Sequence, residues 1–298
     1  MSLELWLSIL AGVVIAATPL VFAAIGELVV EKSGVLNLGV EGMMVVGAFA
    51  GFAATLASGS YGVGIIAAMA AGMVMALLFG FLTQVLMSNQ IATGLALTLF
   101  GLGLSALFGQ SYSGRTTGTF ARITLLGSAS IDVMVLASLA LVAATAWFLQ
   151  KTRAGLILRA VGENHDAAHA IGTSVVGVRM AALAFGGAMA GLGGAYLSLV
   201  QTPFWVEKMT AGRGWIALAL VVFAAWRPAR VLAGAYLFGG ISILQLHAQG
   251  AGLRIDAQVL SMLPYLATIA VLVLISRHAS RLKLNAPACL GRTFTATT

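Results

Sequence analysis

The feature that most constrains this chain is the spacing of its charges. Between Ser33 and Gly114 the only charged residue is Glu41. No charge lies between Asp132 and Lys151, Arg179 and Glu207, Arg230 and Arg254, or Asp256 and Arg277. Each gap accommodates about 20 apolar residues, the length that crosses a hydrocarbon core of roughly 30 Å. Only 8% of the 298 residues are charged and 60% are hydrophobic, whereas soluble domains carry roughly 25% charged residues. Mean hydropathy is +1.02. So few charges leave the surface of a water-soluble chain uncovered, and the bilayer is the fitting solvent.

In lipid every backbone polar group has to be satisfied internally, so the spans are expected to be helices. The roughly 10-residue alternating segments of a membrane β-barrel are not seen. The expected architecture is an all-α integral membrane protein: one polytopic domain over 1–298, with about nine transmembrane helices (8–10). The hydrophobic segments run over 3–25, 35–56, 61–87, 91–109, 131–149, 179–200, 214–226, 231–249 and 258–276. The seventh has only about 13 residues; it is a short helix or one that enters the membrane and is buried by protein. Pro264 is expected to kink the last span. Glu4, without a nearby Lys or Arg, opens a full-length apolar span, which argues against a cleaved signal.

Lys and Arg placement gives an orientation. With the 150–178 loop inside, Lys32, Lys151, Arg153, Arg159, Arg179, Arg227, Arg230, Arg277, Arg281, Lys283 and Arg292 are inside, against Arg115, Arg122, Lys208, Arg213 and Arg254 outside: eleven against five. The tail 277–298 is then cytoplasmic and, with nine spans, the N-terminus is outside. The net charge of +7 follows from basic residues at segment ends and does not call for a nucleic-acid partner. One cysteine, Cys289, excludes an internal disulfide and a Cys-based zinc cluster.

Three features stand out along the chain. Gly47-xxx-Gly51 and Gly187-xxx-Gly191 are small-residue faces that let helices approach closely. The stretch Gly34-Val-Leu-Asn-Leu-Gly-Val-Glu-Gly42 sets Asn37 and Glu41 four residues apart, on one face if helical. A carboxylate inside a span costs about 2.5–3.5 kcal/mol on insertion scales and so faces protein or water. It either marks a gating helix beside a pathway or serves as a capping and packing pair. The loop from Arg159 to Gly172 is the most polar stretch of the chain. Glu163, Asn164 and Asp166 can start a short helix and Gly172 can stop it. His165 and His169 have a zinc-compatible spacing, but no third ligand is nearby and no metal site is assigned. The chain lacks a phosphate-binding G-x-x-x-x-G-K-[ST] loop, an H-E-x-x-H pair and a nucleophile elbow, so no catalytic residues are assigned. Trp205 and Trp215 read as interfacial anchors.

Seven stretches, in order, resemble the permease family of branched-chain amino acid, ribose and nucleoside ABC importers. They are Ser33-Gly-Val-Leu-Asn-Leu-Gly-Val-Glu-Gly42; Asn89-Gln90 with Thr93-Gly-Leu-Ala-Leu97; Arg159-Ala-Val-Gly-Glu-Asn164; Ala184-Phe-Gly-Gly-Ala-Met-Ala-Gly-Leu-Gly-Gly194; Gly214-Trp-Ile-Ala217; Leu263-Pro-Tyr265; and Ala286-Pro-Ala-Cys-Leu-Gly291. The second and last are most similar to the nucleoside and simple-sugar subgroup. The resemblance implies a non-enzymatic subunit of a bacterial inner-membrane importer. Its implied partners are a cytoplasmic ABC ATPase that carries ATP and Mg, a second permease subunit and an extracytoplasmic binding protein. It implies that Arg159, Gly162, Glu163, Asn164, Asp166 and Gly172 form the ATPase-coupling loop. It also implies that Asn37, Glu41, Asn89 and Gln90 lie beside the translocation pathway. His165 and Thr173 depart from the expected proline and isoleucine. A neutral nucleoside or sugar suits spans so poor in charge; a branched-chain amino acid is the alternative cargo. The rival classes are a secondary transporter or channel without an ATPase, which would be expected to show more intramembrane charge, and a membrane-embedded enzyme, which would need a nucleophile, metal or acid pair.

Overall fold

The computed structural model of the chain describes residues 3–126, 129–250 and 285–295, with positions 259, 262, 263, 266, 269, 270 and 273. Among the described residues ten α-helices and one hairpin follow in order: α1 (Leu3–Lys32), α2 (Val40–Ser58), α3 (Tyr61–Gly80), α4 (Gln90–Gly109), β1 (Arg122–Leu126), β2 (Ala129–Asp132), α5 (Val133–Lys151), α6 (Arg153–Glu163), α7 (His165–Ala170), α8 (Val175–Tyr196), α9 (Arg213–Phe223) and α10 (Pro228–Gly250). α3 and α8 each run on into a wider π turn, Phe81–Val85 and Leu197–Gln201.

Among the described residues seven helices are long and apolar enough to cross a membrane: α1, α2, α3, α4, α5, α8 and α10. α9 is apolar but has only 11 residues, about 16 Å of helix. The expected count of about nine is therefore not reached among the described residues. The span at 258–276, with Pro264, falls where only single positions are described. The β1–β2 hairpin, antiparallel with Arg122 opposite Asp132, was not foreseen in an all-helical reading. It sits between α4 and α5, outside the spans.

The polar ends of the helices are locally specified. Asn89, Asp132, Thr152, Asn164 and Ser174 each accept a backbone N–H three residues on, starting α4, α5, α6, α7 and α8. These caps satisfy donors that the first helical turn leaves unpaired.

α8 lies against α1, α2 and α3 through glycines. Gly47 and Gly72 face Gly191, Gly187 faces Gly72 and Ala76, and Gly51 lies against Gly64, Ala68 and Ala195. Both small-residue faces read from the sequence are thus helix contacts. Without a hydrophobic driving force between helices in lipid, such close backbone approach supplies the packing energy. A Cβ on Gly191 meets the Ala68 carbonyl and, at 3.3 Å, the Gly72 Cα, and neither backbone can yield. Gly191→Ala is therefore expected to destabilise the detergent-solubilised chain by about 1–3 kcal/mol. Gly103→Ala, where nothing lies within 4 Å, should leave stability unchanged or raise it by up to about 1 kcal/mol. Denaturant titration of both variants in mixed micelles checks the contrast; equal effects would remove glycine contact as the basis of the packing.

The bundle has two distinguishable ends. At one, Tyr61 donates its hydroxyl hydrogen to the Gly118 carbonyl, Thr117 N–H bonds Pro203 O at 3.0 Å, and Trp205 packs under Gly109. Trp205 is therefore buried rather than an interfacial anchor, while Trp215 is exposed. At the other end lie Lys32, α6, α7, Arg227 and the 285–295 segment. We refer to these as the hairpin end and the basic end.

Candidate functional site

The first group of polar residues sits where α1 turns back into α2. α1 continues to Lys32, beyond the expected 3–25, so that it carries two carboxylates, Glu27 and Glu31, both buried. α2 begins only at Val40. Asn37 and Glu41 therefore do not share a helical face as expected: residues 35–37 have no regular structure and Asn37 lies in the buried connection. Polar side chains from other elements make this irregular backbone possible. Glu27 accepts from the Asn37 backbone N–H (3.3 Å) and from Asn37 Nδ2 (3.4 Å). Asn37 Oδ1 accepts from Gly39 N at 3.0 Å. Gln90 Oε1 accepts from Leu36 N at 2.8 Å, and Thr98 donates to Leu38 O at 3.1 Å. Gly34, at φ +89°, makes the turn, where other residues are strained. Non-helical backbone at membrane depth requires such partners or a water-filled cavity.

Glu41 does something the sequence could not show. Its carboxylate accepts three hydrogen bonds, from Thr210 Oγ1 (2.6 Å), Gly212 N (2.8 Å) and Gly214 N (2.6 Å). It thereby caps the N-terminus of α9, where a negative charge meets the positive end of the helix dipole. Residues 202–223 form a broken span. They leave the hairpin end beside Thr117, run unwound to Thr210 inside the bundle, and continue as α9 towards the basic end. There Trp226 Nε1 donates to Glu31 Oε2 at 2.6 Å. The short seventh segment is therefore a helix that continues from unwound chain running through the bundle.

The second group lies at the basic end. Asn164 Oδ1 caps α7 through Ala167 N at 2.9 Å, and Gly172, at φ +87°, ends the turn that follows, as the sequence suggested. Glu163, Asn164, Asp166 and Gly172 are exposed, and so is Ile171 at 81%. Gly162 lies against the Lys32 carbonyl; Arg159, half-buried, is on the same helix, α6.

Arg179 on α8 ties this loop to the bundle. It is fully buried and reaches four separate parts of the chain. Nε donates to Ser33 O (3.2 Å), Nη1 to Gln84 Oε1 and Arg292 O (3.1 Å each), and Nη2 lies 3.1 Å from His165 Nδ1. Burial and then the Arg179 charge hold the His165 pKa below its usual value, so neutral imidazole, with Nδ1 as acceptor, suits this contact. The 285–295 segment closes the junction. Cys289 N bonds Gly162 O at 2.9 Å, Gly291 N bonds Gly34 O at 3.0 Å, and the Phe294 ring stands edge-on to His165 and His169.

Of the residues expected beside a pathway, Asn37 lies in the α1–α2 connection and Gln90 bonds that connection at Leu36, Glu41 caps α9, and Asn89 is an exposed cap of α4. Glu27, Glu31 and Arg179 were overlooked as site residues. The signal was present for the carboxylates, since an acid continuous with an apolar span is costly unless partnered. Among the described residues no group of three or more His, Cys, Asp or Glu could hold a metal. The arrangement orients helices and backbone.

Comparison with known proteins agrees with this geometry. The family described as the permease component of branched-chain amino acid transport systems matches residues 9–274. The chain is 40% identical to a putative glucose ABC transporter permease, TsgC13, of Haloferax volcanii, covering 96% of this chain and 97% of that one. It is 33% identical to the nucleoside permease NupC of Lactococcus lactis subsp. cremoris (89% and 91% covered) and 31% identical to the guanosine permease NupQ of Bacillus subtilis (89% and 90%). No solved structure matches the chain. A bundle of apolar helices, matched by the family over most of its length, belongs to the permease-component family: this chain is a membrane-spanning permease subunit of an ABC transporter.

Proposed function

We propose that the chain pairs with a second permease subunit to form the pathway of an ATP-driven importer for a small neutral polar solute, a nucleoside or a simple sugar. The names of its relatives support that solute class. The basic end, with 285–295, faces the cytoplasm of a cell whose inner (plasma) membrane holds the protein, following the Lys and Arg bias. There a separate ATPase, carrying ATP and Mg, docks on Arg159, Gly162, Glu163, Asn164, Asp166 and Gly172. An extracytoplasmic binding protein delivers the solute at the hairpin end. The pathway runs beside the α1–α2 connection and the broken span, near Asn37, Glu41, Asn89 and Gln90, because discontinuous spans and unwound backbone mark transport sites.

The observation that carries this reading is α7 itself. It is a capped helix outside the apolar spans, ending in an exposed Ile171 and tied through His165 to buried Arg179. An apolar side chain held out on a polar, rigid knob is suited to filling a pocket on a partner. Movement of that knob reaches the α1–α2 connection through Arg179 and Ser33 O, which gives alternating access a mechanical route. Co-expression with the candidate ATPase and sibling permease tests it. Ile171→Asp should reduce ATPase recovery at least about tenfold, and Glu163→Ala with Asp166→Ala should reduce it further. Unchanged recovery with Ile171→Asp would move docking away from this loop. Failure of the unsubstituted chain to retain any ATPase would favour a self-sufficient transporter.

A further inference from the structure

Beside the coupling region lies a cavity of about 540 Å³ that the transport reading does not use. It opens between α1, α5, α6 and α8, and its walls include Val29, Leu141, Phe148, Ile157, Val178 and Phe185. Its size falls within the roughly 300–1,000 Å³ of small-molecule sites. Its lining is apolar almost throughout, with Thr145 and the Trp147 indole as the polar exceptions. That lining does not suit a nucleoside or a sugar, whose hydroxyls and amides would be left unpaired.

The rim has the opposite character. α5 ends in Lys151 and α6 starts at Arg153, with Thr152 between them as the cap. Lys151 follows the lining residue Trp147 by one helical turn, and Arg153 precedes the lining residue Ile157 by one turn. Residues so spaced share a helix face. Both cations are exposed, and no described carboxylate forms an ion pair with either. An apolar slot at the end of a span with two free cations above it complements an amphiphile that has an acyl chain and an anionic headgroup.

We propose that this groove holds an anionic phospholipid of the surrounding bilayer, its acyl chain between α5 and α8 and its phosphate against Lys151 and Arg153. The lipid wedges α6, the first helix of the coupling loop, against the bundle. Only this last consequence rests on the ATPase-docking reading; occupancy of the groove does not.

Trp147 lines the groove and is 63% exposed, so it reports on what lies beside it. The full chain is placed in nanodiscs containing a low mole fraction of phospholipid brominated in its acyl chains, with either a phosphatidylglycerol or a phosphatidylcholine headgroup. The Trp147 contribution to fluorescence is isolated by difference from Trp147→Phe. Quenching by brominated phosphatidylglycerol is expected to show at least about fivefold preference over the phosphatidylcholine form, from two cations near the surface. Lys151→Gln with Arg153→Gln should abolish the preference, and Thr145→Phe should weaken quenching by filling the groove while leaving the rim charges in place. Equal quenching by the two lipids, meaning ordinary annular lipid only, would overturn the proposal. So would quenching by neither, which would mean that another part of the chain or a second subunit covers the groove. No ATPase or cargo enters the measurement, so failure of the transport reading leaves its outcome legible.

Discussion

Arg179→Leu is expected to destabilise the folded chain by about 3–6 kcal/mol, since it leaves the carbonyls of Ser33 and Arg292 and the Gln84 amide oxygen buried without this donor, at about 1–2 kcal/mol each. The guanidinium reaches all of them because it is a planar fork with five donors; an ammonium is a single point. Arg179→Lys should therefore recover less than half of the loss. Phe294→Ala removes the aromatic contact of the same segment with His165 and His169 but no buried polar partner, and should cost about 1–2 kcal/mol. Denaturant titration in mixed micelles gives the stabilities, and protease sensitivity of the 285–295 segment gives a local readout. A loss below about 1 kcal/mol for Arg179→Leu would show that water or neighbouring groups satisfy the junction, and that Arg179 does not hold it together.

An effect of that size would allow a loop outside the membrane to be coupled to its interior. A chain with so few intramembrane charges has few strong, directional contacts, and its closest helix crossings are glycine against backbone. The exceptions are concentrated. Arg179 joins α8, α7, the α3 π turn, the start of the α1–α2 connection and the 285–295 segment. Glu27 holds the next part of that connection through Asn37, and Glu41, at the start of α2, holds α9. Contacts of this kind pass from the α7 loop to the broken span through discrete hydrogen bonds. Such contacts are suited to switching between two arrangements rather than deforming smoothly.

How much of this was legible depends on how far each residue's partner lies along the chain. Asn164 and Gly172 delimit the short helix α7 and the turn after it by contacts with residues a few positions away, and both were legible as cap and stop. The glycine faces were legible as contact surfaces, although which helix each meets was not. The start of α2 was misplaced because residues 35–40, apolar but for Asn37, continue the pattern of a span; the helix is interrupted by hydrogen bonds from Glu27, Gln90 and Thr98, of which two come from more than 50 residues away. The end of α1 was misplaced for the complementary reason. Glu27 and Glu31 break the apolar run at position 25, yet the helix carries them because Asn37 and Trp226 receive their carboxylates. The role of Glu41 was hidden most completely, since its partners lie about 170 residues downstream.

Glu41→Ala should be the most damaging single change in the spans, at about 5–9 kcal/mol. Two backbone N–H groups and a hydroxyl lose a charged acceptor worth about 1.5–3 kcal/mol each, and the N-terminus of α9 loses a charge that complements its dipole. Glu41→Gln keeps the shape and one acceptor oxygen, so it should cost about 1–3 kcal/mol. Gly214→Ala attacks the same contact from the other side: its Cβ would sit 2.5 Å from the backbone N and Cα of Glu41, and α9 would have to move away from α2. Stability and uptake of a radiolabelled nucleoside or glucose by the reconstituted transporter should fall together in Glu41→Ala and Gly214→Ala, while Glu41→Gln retains partial uptake. That pattern makes Glu41 the anchor of the broken span, acting on transport through α9. The opposite pattern is just as informative. If Glu41→Ala remained within about 1 kcal/mol of the unsubstituted chain yet lost all uptake, the capping hydrogen bonds would be dispensable. The carboxylate would then meet the solute in a conformation other than this one.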